Sequence, residues 1–339
     1  MISMGNITID TVSERAGVSK TTVSRYLNEK YEHMSEKTRI RIKDAIEELG
    51  YRPNLVARNL KTKKTGLIGL IVSDATNPVT AHLVKGATDF AGDMGYQIIT
   101  ASSEECIGKE REYILSMADR QIDGFIIAVA DFGEYGTLCK LAERGVHIVL
   151  ADRSIDEHIF DTVTTDNYDM TKSAIDTLYK MGYDKVALFS SKLLRSRVRS
   201  LRYNGFLDQS ALYIEDPEKI AYIAETEQEY IESLTDFMTA YCGKKAVFAS
   251  TPMALLNLYN AAHELKLDIP RDLGVCGYDN IGWTKLIGGG VTVVDQPIYE
   301  VGSQAANLLI ARIRGELLDI PPKYIELKSS LILRNSTKI

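Results

Sequence analysis

The apolar positions of this chain repeat in two different ways, and the change comes near residue 66. Before that point, Ile9, Val12 and Ala16 are spaced three and four residues apart, as one buried stripe of a helix requires. After Gly66, short apolar runs alternate with longer amphipathic stretches. The two patterns predict an all-helical amino-terminal part followed by a larger α/β part.

The amino-terminal pattern predicts three short helices. The first ends at Gly17, which permits a sharp turn, and the second starts after Ser19, a natural N-cap. In that second helix Val23 faces inward, and a third helix runs from Ser35 to Leu49. Two short helices joined by a tight turn form a helix-turn-helix, whose second helix enters the major groove of DNA.

The outward side of the predicted second helix carries Lys20, Thr21 and Arg25. Arginine and lysine donate hydrogen bonds to guanine edges, so these positions suit base reading. Residues 1–65 hold 13 Lys and Arg against 8 Asp and Glu, whereas the whole chain has a net charge of -6. A basic segment on an acidic protein is typical of the part that meets phosphate. The alternative, a solvated three-helix bundle without a DNA role, does not explain this charge.

Seven apolar runs in the larger part of the chain predict buried parallel strands. They are LIGLIV, YQIITA, GFIIAV, HIVLA, KVALFS, KAVFAS and LGVCGYD, which begin at residues 67, 96, 124, 147, 185, 245 and 273. The helical patterns between them cover residues 79–94, 109–120, 170–181, 227–241 and 254–265. Strand–helix alternation of this length predicts a doubly wound α/β body, with two sheets given its size.

Polar residues follow these predicted strands at the points where the strands end. Ligands of such folds bind beyond the carboxyl ends of the strands, so these residues would together form a hydrogen-bonding cage for a hydroxylated ligand. Taken singly, each is most often a turn former or a helix cap. The set comprises Ser73, Asp74, Asn77, Asp152, Arg153, residues 191–202, Ser250, Thr251, Asp279 and Asn280.

Other features of the composition exclude several classes of protein. No apolar run is long enough to span a bilayer, and the amino terminus lacks a charged region followed by an apolar stretch. We therefore expect a cytoplasmic protein. The four cysteines and five histidines are scattered without metal-ligand spacing, and we expect neither a metal nor a cofactor.

Two continuous segments carry a family resemblance. IDTVSERAGVSKTTVSRYLN and SEKTRIRIKDAIEELGYRPNLVARNL resemble the DNA-binding head and hinge of the LacI/GalR family of bacterial transcription regulators. The resemblance implies that Lys20, Thr21 and Arg25 contact bases. It also implies that a further set of residues contacts phosphates or positions the head, namely Thr8, Ser19, Thr22, Asn28 and Ser35.

Residues 51–65 match the hinge of that family, after a head of residues 1–50. The resemblance implies a short helix over residues 54–60 that forms when two subunits meet on DNA, with Asn54, Ala57 and Leu60 as DNA contacts. Leu60 matches the family's leucine wedge, which enters the minor groove and partly unstacks a base step. A seven-residue helix is too short to be stable alone, so we expect folding coupled to binding. Simple linker packing of Leu60 is the alternative.

The resemblance continues through residues 66–339, the family's effector-binding and dimerisation core, which itself resembles periplasmic sugar-binding proteins. It is carried by SDATNPV, ADRSIDE, VTTDNYDMT, RYNGF, GYDN and TVVDQPIYEVG. It implies an amino lobe of about residues 66–163 and 296–327, and a carboxy lobe of about residues 164–295 and 328–339. The ligand contacts that it implies are Val79, Asp152, Arg202, Ser250, Asp279 and Trp283.

Four arginines crowd the segment after KVALFS, namely Arg195, Arg197, Arg199 and Arg202. Arginine binds carboxylates and phosphates through paired hydrogen bonds, so a cleft that gathers arginines suits an acidic sugar. We therefore add Arg199 to the predicted ligand contacts and favour a keto-deoxy sugar acid, in line with a resemblance to 2-keto-3-deoxygluconate-type repressors. For at least two of the arginines, a solvated helix face is the alternative. Trp283 is either a wall of the ligand site or a core residue.

Together these features predict a homodimeric, ligand-responsive repressor of a carbohydrate-utilisation operon that binds a near-palindromic operator. A small sugar or sugar acid between the lobes would change the operator affinity. Three alternatives remain: a regulator that responds to a corepressor or partner protein, a sugar-metabolising enzyme, and a solute-binding transport protein. Against the enzyme, the chain has no GxGxxG, Walker-type or HExxH motif. Against the transport protein, it has a DNA-reading head and no export signal.

Overall fold

A computed structural model of the 339-residue chain describes residues 7–28, 30–51, 64–155, 157–193 and 195–338. The chain divides into two compact units, residues 1–65 and residues 66–339. The described part of the smaller unit is helical, and the larger unit contains two sheets in which parallel strands dominate. The predicted fold class is confirmed.

Three helices pack around one small core in the smaller unit. They are α1 (Ile9–Ala16), α2 (Lys20–Leu27) and α3 (Glu36–Leu49). Val12, Val23 and Ile42 are fully buried at the centre of this core, one from each helix. Burial of a side chain of this size stabilises a fold by roughly 1.5–3 kcal/mol. Gly17 adopts a φ of 62°, a conformation open to glycine without steric cost, and the chain turns there from α1 towards α2.

Six strands of the larger unit form one parallel sheet, which we call the first lobe together with its helices. The strands are β1 (Leu67–Val72), β2 (Gln97–Ser102), β3 (Gly124–Ile127), β4 (His147–Ala151), β5 (Asp161–Thr165) and β11 (Tyr324–Leu327). They lie in the order β11-β5-β4-β3-β1-β2. The helices are α4 (Pro78–Asp93), α5 (Ile107–Asp119), α6 (Gly136–Ala142) and α11 (Ile298–Arg314). One apolar cluster includes residues of α4 and α11, and a separate one includes residues of α5 and α6. Both faces of the sheet are therefore covered.

The second lobe repeats this arrangement with one antiparallel edge. Its strands are β6 (Lys185–Ser190), β7 (Ala221–Ile223), β8 (Lys245–Ala249), β9 (Gly274–Tyr278), β10 (Thr292–Asp295) and β12 (Ser330–Ile332). Their order is β12-β10-β9-β8-β6-β7, and β12 runs antiparallel to β10. The helices are α7 (Asn167–Lys180), α8 (Arg197–Ser210), α9 (Glu227–Ala240) and α10 (Pro252–Glu264). The chain therefore passes between the lobes after β5, after β10 and after β11.

Helices α4 and α11 approach each other closely on one face of the first lobe. A Cβ atom on Gly86 would lie 1.9 Å from the carbonyl oxygen of Tyr299, and one on Gly302 would lie 2.1 Å from that of Leu83. No side chain fits at either position without moving the backbone. The two glycines thus hold the late helix α11 against the early helix α4.

The structure contains all seven predicted strands and all five predicted helices, with ends that differ by a few residues. Five strands lie outside the predicted runs, namely β5, β7, β10, β11 and β12, and three helices of the larger unit lie outside the predicted helical patterns, namely α6, α8 and α11. Strand β5 was missed because its sequence, DTVTT, is polar although all five residues are buried. Helix α8 was missed because its arginines and apolar residues are interspersed without a continuous stripe.

Candidate functional site

The side chains predicted to read bases lie on the outer face of α2. Lys20, Thr21 and Arg25 are all exposed. Lys20 forms an ion pair with Asp10 of α1, whereas Arg25 has no ion pair within the described residues. The amino-terminal turns of a recognition helix are the part that meets base edges. The described part of the smaller unit therefore leaves the predicted reading face uncovered, and the base contacts stay a prediction.

Two of the predicted phosphate contacts cap helices. Ser19 Oγ accepts a hydrogen bond from the Thr22 amide at 3.2 Å, at the start of α2. Ser35 Oγ accepts one from the Thr38 amide at 3.3 Å, at the start of α3. Ser19 Oγ also shares a hydrogen bond with Thr22 Oγ1 at 2.8 Å, and Ser35 Oγ shares one with Thr38 Oγ1 at 2.9 Å. Each serine hydroxyl can still form one further hydrogen bond, so capping and phosphate binding are compatible.

The other predicted contacts of the head also lie at helix ends. The Thr8 amide donates to Thr11 Oγ1 at 3.4 Å, just before α1. The Asn28 side-chain amide donates to a main-chain carbonyl one turn earlier, at 2.7 Å. Both residues are exposed. The predicted hinge contacts lie outside the described residues, namely Asn54, Ala57 and Leu60.

In the larger unit, Arg202 of α8 is buried and every nitrogen of its guanidinium donates a hydrogen bond. Nε donates to Asn167 Oδ1 at 2.8 Å, and Nη1 donates to the carbonyl oxygen of Ser250 at 2.6 Å. Nη2 donates to Gln296 Oε1 at 3.0 Å. The guanidinium carbon lies 3.5 Å from the ring centroid of Tyr278, a cation–π contact. One side chain thus joins α7, the end of β8, β9 and the segment after β10.

Asp279, which directly follows β9, is the second buried charge of this network. It has a φ of 78°, and its Oδ1 accepts a hydrogen bond from Gln296 Nε2 at 2.7 Å. Burial raises the pKa of Asp279 to about 6, although Arg202 and Gln296 act in the opposite direction. Gln296 Oε1 also accepts from Thr165 Oγ1, at the end of β5, at 2.7 Å. The network therefore reaches the first lobe.

Asp152 occupies the corresponding place at the end of β4 in the first lobe. Its φ is 65°, left-handed like that of Asp279. Burial raises the pKa of Asp152, against the effects of Arg153 and Arg202. Left-handed conformations are uncommon for residues other than glycine, although aspartate tolerates them better than most. One such aspartate in each lobe, both interacting with Arg202, marks this region as a site.

Gln296 and Asn167 were not among the residues predicted from the sequence. Each is a lone amide within a segment that resembles the family, Gln296 in TVVDQPIYEVG and Asn167 in VTTDNYDMT. The hydrogen bonds that define them span 94 residues between Arg202 and Gln296, and 35 between Arg202 and Asn167. A pattern confined to neighbouring residues carries no signal for partners at that separation.

The remaining predicted ligand residues are held by neighbours in the protein. Ser250 is buried, and its hydroxyl donates to Ser190 Oγ at 2.6 Å. Val79 lies in the first turn of α4 and is partly buried. Trp283 packs against the core of the second lobe and meets Tyr259 edge to face, with ring centroids 5.6 Å apart. Trp283 therefore has a core contact, and its role as a wall of the ligand site stays a prediction.

A cavity of about 590 Å³ opens at the carboxyl ends of the strands of both lobes. Four cationic and three acidic side chains line it, together with three small residues. The lining consists of Asp74, Glu105, Ala130, Arg153, Ser191, Lys192, Arg195, Ser196, Arg199 and Glu225. Of the predicted ligand residues, Arg199 lines this cavity, whereas Arg202 and Asp279 belong to the buried network.

Glu105, in the loop after β2, joins the two lobes within this cavity. Its Oε1 accepts hydrogen bonds from Arg153 Nη2 of the first lobe, at 2.5 Å, and from Arg199 Nη2 of the second. Although burial raises it, the pKa of Glu105 is held below its usual value by the two arginines. A second ion pair between the lobes joins Arg195 Nε to Asp131 Oδ2 at 3.3 Å.

No group of three His, Cys, Asp or Glu side chains among the described residues could hold a metal ion. No helix in the described ranges is long and apolar enough to cross a bilayer.

Comparisons with known proteins agree with the two units. The sequence profile of bacterial regulatory proteins of the lacI family matches residues 8–54, and a periplasmic binding protein-like domain matches residues 175–337. The HTH-type transcriptional regulator KdgR of Bacillus subtilis (strain 168) is 34% identical over 345 residues, which cover 98% of both chains. This chain belongs to the lacI family of bacterial regulatory proteins. As a lacI-family member it is a DNA-binding transcription regulator and not an enzyme.

Solved structures show the same fold. The complex of the transcriptional regulator CelR with cellobiose has a TM-score of 0.71 and 26% identity, and the match covers 98% of this chain and 100% of CelR. The lac repressor dimer bound to operator and the anti-inducer ONPF has a TM-score of 0.85 and 22% identity, over 98% and 99% of the two chains. The predicted resemblance to the LacI family is confirmed over nearly the whole length of the chain.

Proposed function

We propose that this lacI-family regulator represses a carbohydrate-utilisation operon and that a small sugar or sugar acid binds between its lobes to change its affinity for operator DNA. The protein acts as a cytoplasmic homodimer, and each head reads half of a near-palindromic operator. Residues 1–50 form the reader, residues 51–65 the hinge, and residues 66–339 the effector-binding and dimerisation core. The buried network of Arg202, Gln296 and Asp279 carries this proposal.

The network supports a ligand site because its polar groups are costly to bury. Removing a guanidinium or a carboxylate from water costs several kcal/mol, which hydrogen bonds only partly offset. Asp279 directly follows β9, and the guanidinium of Arg202 bonds the carbonyl of Ser250 directly after β8. Both groups thus lie at the carboxyl ends of parallel strands, where ligands of such folds bind. The related regulator CelR was solved with cellobiose. A polar network at this place suits a ligand that, like a sugar, offers many hydroxyl groups.

The connections of Arg202 also suit the transmission of a signal. Its partner Gln296 lies between β10 of the second lobe and α11 of the first, and Gln296 also bonds Thr165 of the first lobe. A ligand that favours one arrangement of the lobes would strengthen or break these hydrogen bonds. Such coupling is reciprocal, so operator DNA changes the effector affinity by the same factor as effector changes the operator affinity.

The cavity favours an acidic sugar over a neutral one. Arg153, Lys192, Arg195 and Arg199 supply four positive charges, and two of them, Arg153 and Arg199, share the single carboxylate of Glu105. Arginine binds carboxylates through paired hydrogen bonds. This supports a sugar acid, such as a keto-deoxy sugar acid, as the effector.

The test is a titration of the purified protein onto DNA from its own gene neighbourhood, at fixed salt, with and without a panel of sugars and sugar acids. We expect sequence-specific binding, altered by one sugar acid and not by its neutral counterpart. Specific binding that only neutral sugars alter would show that the effector is not a sugar acid. Specific binding that no compound alters would favour a partner protein or corepressor as the signal. Binding that is salt-sensitive but blind to sequence would overturn the assignment of the reader.

A further inference from the structure

We propose that Arg153 and Arg199 form a subsite for the anionic group of the effector, and that Glu105 is a built-in competitor for the same two side chains. This inference rests on the proposed function of the cavity as the effector site. It adds a residue, Glu105, whose effect on binding is opposite to that of an ordinary contact residue. Its removal should strengthen the binding of anions.

The geometry of the three side chains carries the proposal. One oxygen of Glu105 accepts hydrogen bonds from an Nη2 atom of each arginine. Arg153 follows β4 of the first lobe and Arg199 lies in α8 of the second, so two guanidinium groups from different lobes converge on one point. A ligand carboxylate or phosphate offers such a pair of donors the same kind of oxygen. The Glu105 carboxylate therefore occupies the place where we locate the ligand's anion.

Arg153 has an unused donor at this place. Its Nη1 atom is buried and has no hydrogen-bond partner in the part of the chain that the structure describes. The side chain as a whole is only 11% exposed. A buried donor without an acceptor is destabilising, and an anion with several oxygens could accept hydrogen bonds from both Nη1 and Nη2. Glu105 alone leaves it unsatisfied.

The loop that holds Glu105 has an unusual backbone. Glu104 and Glu105 have φ angles of 51° and 53°, consecutive left-handed residues that are not glycine. Such conformations are strained and persist where the surrounding structure requires them. The Glu105 amide donates to the carbonyl oxygen of Ser73 at 2.8 Å, which fixes the loop to the end of β1. This loop conformation carries the Glu105 carboxylate into the cavity.

The competition from Glu105 acts on charged ligands and not on neutral ones. A neutral sugar gains nothing by displacing Glu105, because it would leave two arginines without an anion. An acidic ligand replaces one carboxylate by another, keeps the arginines of both lobes bridged, and gives Arg153 Nη1 an acceptor. Glu105 thereby lowers the affinity for anions, which must displace it, and leaves the affinity for neutral sugars, which do not displace it, unchanged.

Sulfate tests the subsite without knowledge of the effector. Thermal unfolding of the full chain is followed in sodium sulfate and in sodium chloride at matched ionic strength, for wild type, Glu105→Gln and Glu104→Gln. Glu104 is the control because it lies in the same loop, forms its ion pair with Lys109 and does not line the cavity. We expect sulfate to raise the Tm of Glu105→Gln more than that of wild type, by the equivalent of about tenfold tighter binding. Glu104→Gln should respond to sulfate as wild type does. The comparison with this control separates binding at the subsite from the general stabilisation that sulfate gives to proteins.

The double variant Glu105→Gln/Arg199→Gln completes the test. It should lose the sulfate response that Glu105→Gln gains, because one of the two converging guanidinium groups is gone. The proposal is overturned if Glu105→Gln responds to sulfate as Glu104→Gln does, or if the gained response survives in the double variant. Either result would reduce Glu105 to a structural ion-pair partner.

Calorimetry with gluconate and glucose then separates this inference from the proposed function. The two compounds share a carbon skeleton and differ in the carboxylate. If the subsite and the effector class are both right, Glu105→Gln binds gluconate more tightly and leaves glucose binding unchanged. If Glu105→Gln gains a sulfate response but no sugar acid binds, the anion subsite is supported and the proposal of a sugar acid as effector is wrong. A sugar acid that binds wild type and Glu105→Gln equally would overturn the competitor and keep the proposed function.

Discussion

The two units of this regulator use their charged residues in opposite ways. On α2 of the head, Thr21 and Arg25 are exposed and rest on a helix that forms from contiguous sequence. In the larger unit, Arg202 is buried and bonded to residues 35, 48 and 94 positions away. A reader of DNA needs side chains that are free to meet a partner. A sensor needs side chains whose bonds change when its lobes move.

The difference predicts different consequences of mutation. Loss of an exposed charge on α2 should change DNA binding and leave the fold intact. Loss of a charge from the buried network should change the stability of the larger unit as well as its response to ligand, because buried partners are left without a hydrogen bond. The predictions that follow test this division, from the largest expected effect to the smallest.

Arg202→Ala should have the largest effect. It leaves Asn167 Oδ1, the Ser250 carbonyl and Gln296 without their shared donor and opens a space over the ring of Tyr278. We expect the free energy of unfolding of the larger unit to fall by about 3–5 kcal/mol, and the effector response to be lost. Chemical denaturation and an operator-release assay measure the two effects.

The matched control is Arg144→Ala, an exposed arginine of the first lobe. Its unfolding free energy should stay within about 0.5 kcal/mol of wild type. If Arg202→Ala is no less stable than this control, the buried network does not stabilise the larger unit. Retained operator binding with a lost response would show that the reader does not depend on this side chain.

Asp279 should make the stability of the larger unit depend on pH. Its pKa of about 6 lies above the ordinary value of 3.8, so the folded state binds a proton more tightly than the unfolded state. The stabilisation from this proton is fully present below about pH 4 and is lost as the pH rises through 6. Between pH 4 and 7 wild type should therefore lose on the order of 2 kcal/mol more than Asp279→Asn. Urea unfolding at four pH values measures this, and Asp319→Asn, an exposed substitution, should follow wild type.

The contrast between local signals and contacts of distant residues also explains how much of the fold and of the site could be predicted from the sequence. The helices of the head and the seven apolar strands were predictable because their signals lie within a few residues of each other. Strand β5 was not, because Thr162 and Thr164 are buried with hydroxyls that bond the carbonyls of Phe160 and Asp152. In the site, Arg202 and Asp279 were named through family resemblance, whereas Gln296 and Glu105 became visible only where the lobes meet.

Arg25→Ala should act on DNA alone. Its side chain is exposed and has no ion pair within the described head, so the fold should keep its stability. We expect the difference in binding free energy between operator and unrelated DNA to fall by about 2 kcal/mol. The comparison is Arg39→Ala on α3, whose guanidinium lies 4.1 Å from the ring centroid of Tyr31. Arg39→Ala should weaken operator and unrelated DNA alike, and equal effects of the two variants would contradict the assignment of base reading to Arg25.

Ser19 offers the smallest and finest test, because its predicted phosphate contact and its observed cap can be separated. Ser19→Ala removes the acceptor for the Thr22 amide and should cost the head about 1 kcal/mol of stability. Ser19→Asp restores a good N-cap but places a negative charge at the start of α2. If Ser19 also meets phosphate, Ser19→Asp should be as stable as wild type and yet bind operator more weakly than Ser19→Ala. An operator affinity that instead follows helix stability across the three proteins would assign Ser19 to capping alone.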